Sequence, residues 1–218
     1  GFDAIMARLS DPCDREKIIA YIDSEFADFD GMITYAGIHG DLMGKTFSEL
    51  AEENKVSKGE MIARLLYSEH MALSFHDVDP GLSGEETKQF HRDVLELLSR
   101  PNYMVGSDAI HVGAYPHPRA WGTFAKVLRL AREEKFELEK LINRLTDLPC
   151  RRFKLEKRGR IEKGYFADVV IFNPDTVTEH STIEDPRLAA EGIEYVFVNG
   201  QLALSHGQLI GNLAGRVL

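Results

Sequence analysis

Apolar positions recur along this chain at helical and strand spacings, and the balance between the two shifts near residue 150. From Asp11, the stretch DPCDREKIIAYIDSEF sets Ile18, Ile19 and Ile22 on one helical face. Asp11 is placed to cap that helix, and Pro12 occupies its first position. Residues 31–38, GMITYAGI, form a short apolar run between turn residues, the pattern of a buried strand. Three hydroxyl-x-x-Glu capping boxes follow, Thr46 with Glu49, Ser57 with Glu60 and Ser83 with Glu86, and each predicts a helix start. MALSFHDVD predicts a strand over about residues 72–78, and NYMVGSDA predicts another over 103–107. The segments TFAKVLRLAREEK and ELEKLINRLTDLP then read as helices.

Strands alternating with helices predict an α/β fold in which 31–37, 72–78 and 103–107 are neighbouring parallel strands. Past Cys150, FADVVIF and EYVFVNGQLAL are β-like. Asn199–Gly200 between VFV and QLAL predicts a tight hairpin over 194–205. Only three strand–helix units are visible, whereas a closed eight-unit barrel takes about 250 residues. Three parallel strands alone would leave their edges bare. Either the chain forms a small open α/β fold or it is the back part of a larger one, and a start without an initiator Met favours the second expectation. Such a chain alone is expected to oligomerise, swap elements or aggregate through the apolar faces of MITYAGI and ALSF.

Composition narrows the function classes. The 218 residues are 44% hydrophobic and 28% charged, as in soluble globular proteins. A net charge of −9 argues against a nucleic-acid partner, which wants a surplus of Lys and Arg. The two cysteines, Cys13 and Cys150, are far apart and form no CxxC pattern. That spacing predicts neither a disulfide framework nor a structural zinc site and fits a reducing, cytoplasmic setting. No apolar run approaches the roughly 20 residues that span a bilayer, and the N-terminus has no signal-peptide architecture.

Candidate chemistry concentrates in MVGSDAIHVGAYPHPRAWGTF, residues 104–124. Parallel α/β proteins bind ligands at the carboxyl ends of their strands, where VGSDA places Ser107 and Asp108. A carboxylate there can hold a metal or act as a general base, or it can cap the next segment. Pro116 and Pro118 stiffen the backbone around His117 and Arg119. A preset Arg119 can grip a carboxylate with two parallel hydrogen bonds, or pair with one of the 35 acidic residues.

GSDA followed by HPRAWGTFAKVL resembles the strand-eight region of the N-acyl-D-amino-acid deacylases (D-aminoacylases) of the amidohydrolase superfamily. RLTDLPCRRFKLEKRGRIEKGYFADVVIFNPDTV, EDPRLAAEGIEYVFVNGQLAL, the ending GRVL, GKTFSELAEE and DVLELLSRPNYMVGSD are similar to that family in the same order. The resemblance implies a zinc-dependent hydrolase cleaving the acyl amide of an N-acyl-D-amino acid. It implies a partial (β/α)8 TIM-type barrel, about strands six to eight with their helices, in residues 1–155. Residues 156–218 would be the C-terminal part of a small β-sandwich.

By position, Asp108 matches the family's catalytic aspartate at the metal, and Arg119 matches an arginine that binds the substrate carboxylate. His117, and His39 in the glycine-bounded loop GIHGDLMGK, fall among the substrate contacts. Arg119 is expected to point past Asp108, because a direct pair would quench both. The family's HxH pair and further metal ligands have no counterpart among the eight histidines, which are scattered singly. His70 and His91 read as helix-face residues, His180 and His206 as loop or β-edge ones, and His76 as a strand residue with no ligand partner. Zinc is therefore expected only in a complete enzyme, formed with a missing N-terminal part or in a homo-oligomer. Two other readings compete: a cyclic-amide hydrolase of the hydantoinase or dihydroorotase type, and a non-catalytic remnant or subunit lacking the metal ligands.

Overall fold

The computed structural model describes residues 1–77, 83–111, 116–211 and 213–217. The chain divides into two compact units, one comprising residues 1–82 and 110–117, the other 83–109 and 118–218.

The first unit opens with α1 (Phe2–Ser10) and α2 (Pro12–Glu25). Asp11 caps α2 as its sequence predicts, accepting from the Asp14 amide at 2.9 Å, and Pro12 stands where its missing N–H leaves no bond unmade. Ile18, Ile19 and Ile22 are all half-buried, and α2 packs on α4. Strand β1 (Gly31–Ala36) leads through a short 3-10 turn at Gly40–Leu42 to α3 (Phe47–Asn54), α4 (Lys58–Ser68) and strand β2 (Leu73–Asp77). Thr46 and Glu49 complete a reciprocal capping box on α3, and the Ser57 side chain caps α4. The core gathers Ile33, Ala36, Phe47, Leu50, Ala51, Met61 and Leu65. A Cβ at Gly31 would lie 2.8 Å from the Phe47 ring, so only glycine lets β1 sit this close to α3.

Two expectations need correction here. The strands β1 and β2 are antiparallel, Gly31 facing Asp77 and Ala36 facing Leu73, with an irregularity between Ile33 and Tyr35. A parallel pair needs a crossover that returns the chain to its starting edge. The paired helices α3 and α4 instead carry it out and back, so it re-enters beside β1 in the opposite sense. The apolar face of MITYAGI does not wholly lack partners either: Ile33 and Ala36 are buried against residues of α3 and α4, whereas Tyr35 and Ile38, and Phe75 on β2, stay exposed.

The second unit contains α5 (Gly84–Ser99), α6 (Arg119–Glu133), α7 (Leu138–Leu145) and α8 (Asp147–Arg152). Ser83 and Glu86 form the predicted box on α5. The segment read as one helix, ELEKLINRLTDLP, breaks at Thr146 into α7 and α8. Leu95 and Leu98 of α5 meet Ala125, Val127, Leu128 and Ala131 of α6 and Leu141 of α7 in one core. Residues 103–107 form no strand, a third correction. Val105 packs against this helical core, and the segment pairs with no strand among the described residues.

Strands β3 (Val169–Phe172), β4 (Ile193–Val198), β5 (Gln201–Ser205) and β6 (Gln208–Leu209) form an antiparallel sheet in that order. The Asn199–Gly200 hairpin is present, Val198 facing Gln201 and both turn residues at positive φ, 49° and 79°. Arg158 clamps it, bonding Asp168 and donating to Asn199 Oδ1 at 2.9 Å while its guanidinium lies over the Phe166 ring. The Asn199 amide donates to Asp168 Oδ1 at 2.8 Å. The two ends of the phrase RGRIEKGYFAD, Arg158 and Asp168, thus hold this turn. No helix among the described residues is long and apolar enough to cross a membrane.

Candidate functional site

Asp108 and Arg119 come together in the second unit. Arg119 is the first residue of α6, and its Nη2 lies 3.1 Å from Asp108 Oδ2. The expectation that Arg119 points past Asp108 is thereby overturned. Asp108 has a left-handed backbone, φ 48°, which turns its side chain back toward the start of α6. Aspartate tolerates this region better than most residues because its short side chain can bond locally. The Asp108 side chain is 84% exposed and that of Arg119 36%. A pair so wet is worth about 0–1 kcal/mol, so it can open when a ligand competes for either member.

The base of Arg119 is fixed more firmly than its tip. The Pro118 carbonyl ends the approach to α6 and accepts from the Trp121 and Gly122 amides and from Ser181 Oγ. A Cβ at Gly122 would fall 2.4 Å from Ser181 Oγ, so the first turn of α6 packs on residues 179–181 only through glycine. About two turns further along, Arg129 donates to both carboxylate oxygens of Glu179 at 2.6 and 2.9 Å. Burial pushes the Glu179 carboxyl up, but its bonds from Arg129 and from its own backbone amide, with the Arg129 charge, outweigh this and leave it lowered.

His39 and His117 belong to the first unit. His39 precedes the 3-10 turn, and its Nδ1 bonds Glu69 Oε1. Glu69 is fully buried, and its other oxygen accepts from the Ile38 and His39 amides at 2.6 and 3.2 Å. The bond to Glu69 raises His39 above its ordinary value, against a smaller opposing effect of burial and with help from the charges of Glu69 and Asp41. His117 stacks edge-on against His76, ring centroids 4.7 Å apart. His76 lies on β2, as its reading as a strand residue expects. His70 stands beyond the end of α4 at positive φ rather than on a helix face, while His91 lies on α5 as expected. His180 bonds Glu191, and His206 bridges Glu194 and the Tyr195 hydroxyl.

Glu69 and the Arg129–Glu179 pair were missed in the sequence. YSEH reads as an ordinary helix end, and no local pattern links residue 129 to residue 179. A catalytic zinc takes about three protein ligands. Among the described residues no three His, Cys, Asp or Glu side chains come together, so these residues do not by themselves fit the ion.

The model of the amidohydrolase family matches residues 35–203. The chain is 36% identical over 189 residues to a D-aminoacylase of Alcaligenes xylosoxydans xylosoxydans, a match spanning 86% of this chain and 36% of that protein. It is 50% identical over 110 residues to an N-acyl-D-glutamate deacylase of the same organism, spanning 50% of this chain and 22% of the relative. Its fold is similar to that of the N-acyl-D-glutamate deacylase from Bordetella bronchiseptica, solved with zinc and a phosphonate mimic of the tetrahedral intermediate. The TM-score is 0.68 at 31% identity, over 88% of this chain and 39% of that one. The matches thus span 36% and 22% of the length of these curated relatives.

Proposed function

Because the chain belongs to the amidohydrolase family, we propose that it is the C-terminal portion of a metal-dependent hydrolase that cleaves the amide bond of N-acyl-D-amino acids. The observation that carries this reading is the ion pair of Asp108 with Arg119. A substrate carboxylate is the same kind of ligand for the guanidinium as the Asp108 side chain. On binding it would displace Asp108 and accept both forks of Arg119. Asp108, released, is then a carboxylate free to take a proton from the attacking water and to deliver it to the amide nitrogen as the C–N bond breaks. Binding of the correct end of the substrate thus arms the base. His117 and His39 are assigned to substrate binding.

Zinc belongs to this proposal for the complete enzyme, since the Bordetella relative holds it. Its ligands, which Asp108 would join, are assigned mainly to the portion of the relatives that this chain does not span. On the same reading residues 1–155 correspond to the rear of a (β/α)8 barrel, about strands six to eight, and 156–218 to the end of its β-sandwich. The partners are an N-acyl-D-amino acid and either the rest of the enzyme or a second copy, in the cytoplasm.

The test is hydrolysis of N-acetyl-D-amino acids by the zinc-loaded complete enzyme, with their L-enantiomers as control. Turnover of the D-series that collapses in Asp108→Asn supports the reading. Undiminished turnover in that variant removes Asp108 from the chemistry.

A further inference from the structure

Glu69 is a carboxylate with no exposed surface, and such a group is costly unless every lone pair finds a donor. It receives three: the amides of Ile38 and His39, and His39 Nδ1. The chain around it is held tightly. His70 and Met71, which follow directly, are both left-handed, at φ 49° and 62°, a conformation that costs side chains of this size about 1 kcal/mol or more each. Gly37 donates to the Ala72 carbonyl at 2.8 Å, and a Cβ on Gly37 would meet the Ala72 methyl at 2.7 Å. Strain of this sort persists only where the surroundings over-determine it. What is fixed by all this is the imidazole of His39, whose side chain remains 53% exposed.

We propose that Glu69 is a positioning residue for His39, and that the His39 Nε2–H it presents is a binding donor for a carboxylate-bearing small molecule. With Nδ1–H committed to Glu69 the ring orientation is set, and in the imidazolium Nε2–H is the donor left to meet a ligand. An imidazolium held in one orientation forms a charge-assisted bond without first being ordered. The charged groups acting on the ring are Glu69, from the end of α4, and Asp41, from its own loop. Both favour the cation, while Asp41 also repels an incoming anion and keeps the affinity weak. A purely structural Glu69, stapling the loop through the two amides, would need neither the imidazole nor its charge.

The proposal draws only its ligand class from the deacylase reading and concerns a binding event separate from the carboxylate given to Arg119, and its test needs neither turnover nor zinc. Ring 15N spectra of the 218-residue chain are recorded with N-acetyl-D-alanine and with its amide, which differ only in the carboxylate. His39→Gln assigns the signal. The expected result at about pH 6, below the ordinary imidazole value that His39 exceeds, is a saturable shift of His39 Nε2 with the acid and none with the amide. Glu69→Gln should weaken that binding about tenfold, the scale of one charged hydrogen bond, and let the ring populate both tautomers. Should that variant fail to fold, binding by the unaltered chain must still fade as pH rises through the midpoint of His39 itself. An equal response to acid and amide, no response to either, or binding indifferent to His39 protonation overturns the proposal. None of these outcomes bears on Asp108, whose failure would show instead as undiminished hydrolysis in Asp108→Asn.

Discussion

Arg129 and Glu179 join α6 to the segment ahead of β4 through a two-pronged ion pair, Nη2 to Oε1 at 2.6 Å and Nε to Oε2 at 2.9 Å. Their side chains are 22% and 14% exposed. Glu179→Gln leaves the mostly desolvated Arg129 with only its more exposed partner Glu133, whose oxygens accept from Nη1 at 2.8 and 2.9 Å. It should therefore cost about 2 kcal/mol, below the figure for a fully buried pair left with no counter-charge. Urea unfolding measures it. The folded Glu179 lies below its ordinary value of 4.5, so this stabilisation is present above about that pH and is lost as pH falls through the folded value. The variant should therefore show a shallower acid limb, and an unchanged limb would assign the pair no net role.

The His39–Glu69 contact is limited on both sides. His39 is raised above 6.5, so its contribution is fully present below about that pH and is lost as pH rises through the folded value. Glu69 is lowered from 4.5: burial raises it, and the bonds from His39 and the two amides prevail. Its contribution is present above about 4.5 and is lost as pH falls further. Hydrogen exchange at the Ile38 and His39 amides, corrected for intrinsic rates, should be slowest between these limits. Monotonic protection across that range would mean the histidine does not help hold the loop.

Arg119→Lys keeps the charge and loses the planar fork. In the complete enzyme it should cost about 2–3 kcal/mol in kcat/KM, mostly as a higher KM. Asp108→Asn acts in two directions because the wild-type residues are paired. It should collapse kcat, and it should lower KM up to about fivefold by releasing Arg119 from a wet ion pair worth at most about 1 kcal/mol. Steady-state kinetics on N-acetyl-D-amino acids separates the two, and a raised KM in Asp108→Asn would contradict the displacement step.

Gly122→Ala tests the seat of α6. Alanine improves helix propensity by about 1 kcal/mol, yet its Cβ meets Ser181 Oγ at 2.4 Å. Overpacking of this kind costs about 1–3 kcal/mol, so thermal unfolding should show a net loss. Adding Ser181→Ala removes the clashing oxygen and should restore most of it.

Signals confined to a few residues were legible in the sequence. The boxes at Thr46 and Ser83, the Asp11 cap with Pro12, and the Asn199–Gly200 turn are each decided by local backbone chemistry. Strand sense was not: GMITYAGI and MALSFHDVD are apolar runs whichever way they pair, and two helices between them favour the antiparallel return. Membership of the family rests on the sequence match rather than on that pairing. Residues 103–107 carried strand propensity, and the helical core claimed Val105 instead. At the site, motif position identified Asp108 and Arg119 as candidates. Their direct contact depends on the left-handed backbone at Asp108, which no residue pattern announces. Glu69 was invisible for a plainer reason: its partners lie about 30 residues earlier in the chain.

The two compact units are interleaved in the chain, which passes from the first to the second near residue 83, returns at 110 and leaves again at 118. No single cut separates them. A piece starting at residue 118 would keep the β3–β6 sheet but lose α5, and with it the Leu95 and Leu98 side chains that close its core. A piece ending at 82 would lose His117, the neighbour of the His76 ring. Dissection of this protein by truncation therefore yields two damaged halves, and each unit can be isolated whole only by rejoining its segments in a permuted or spliced chain.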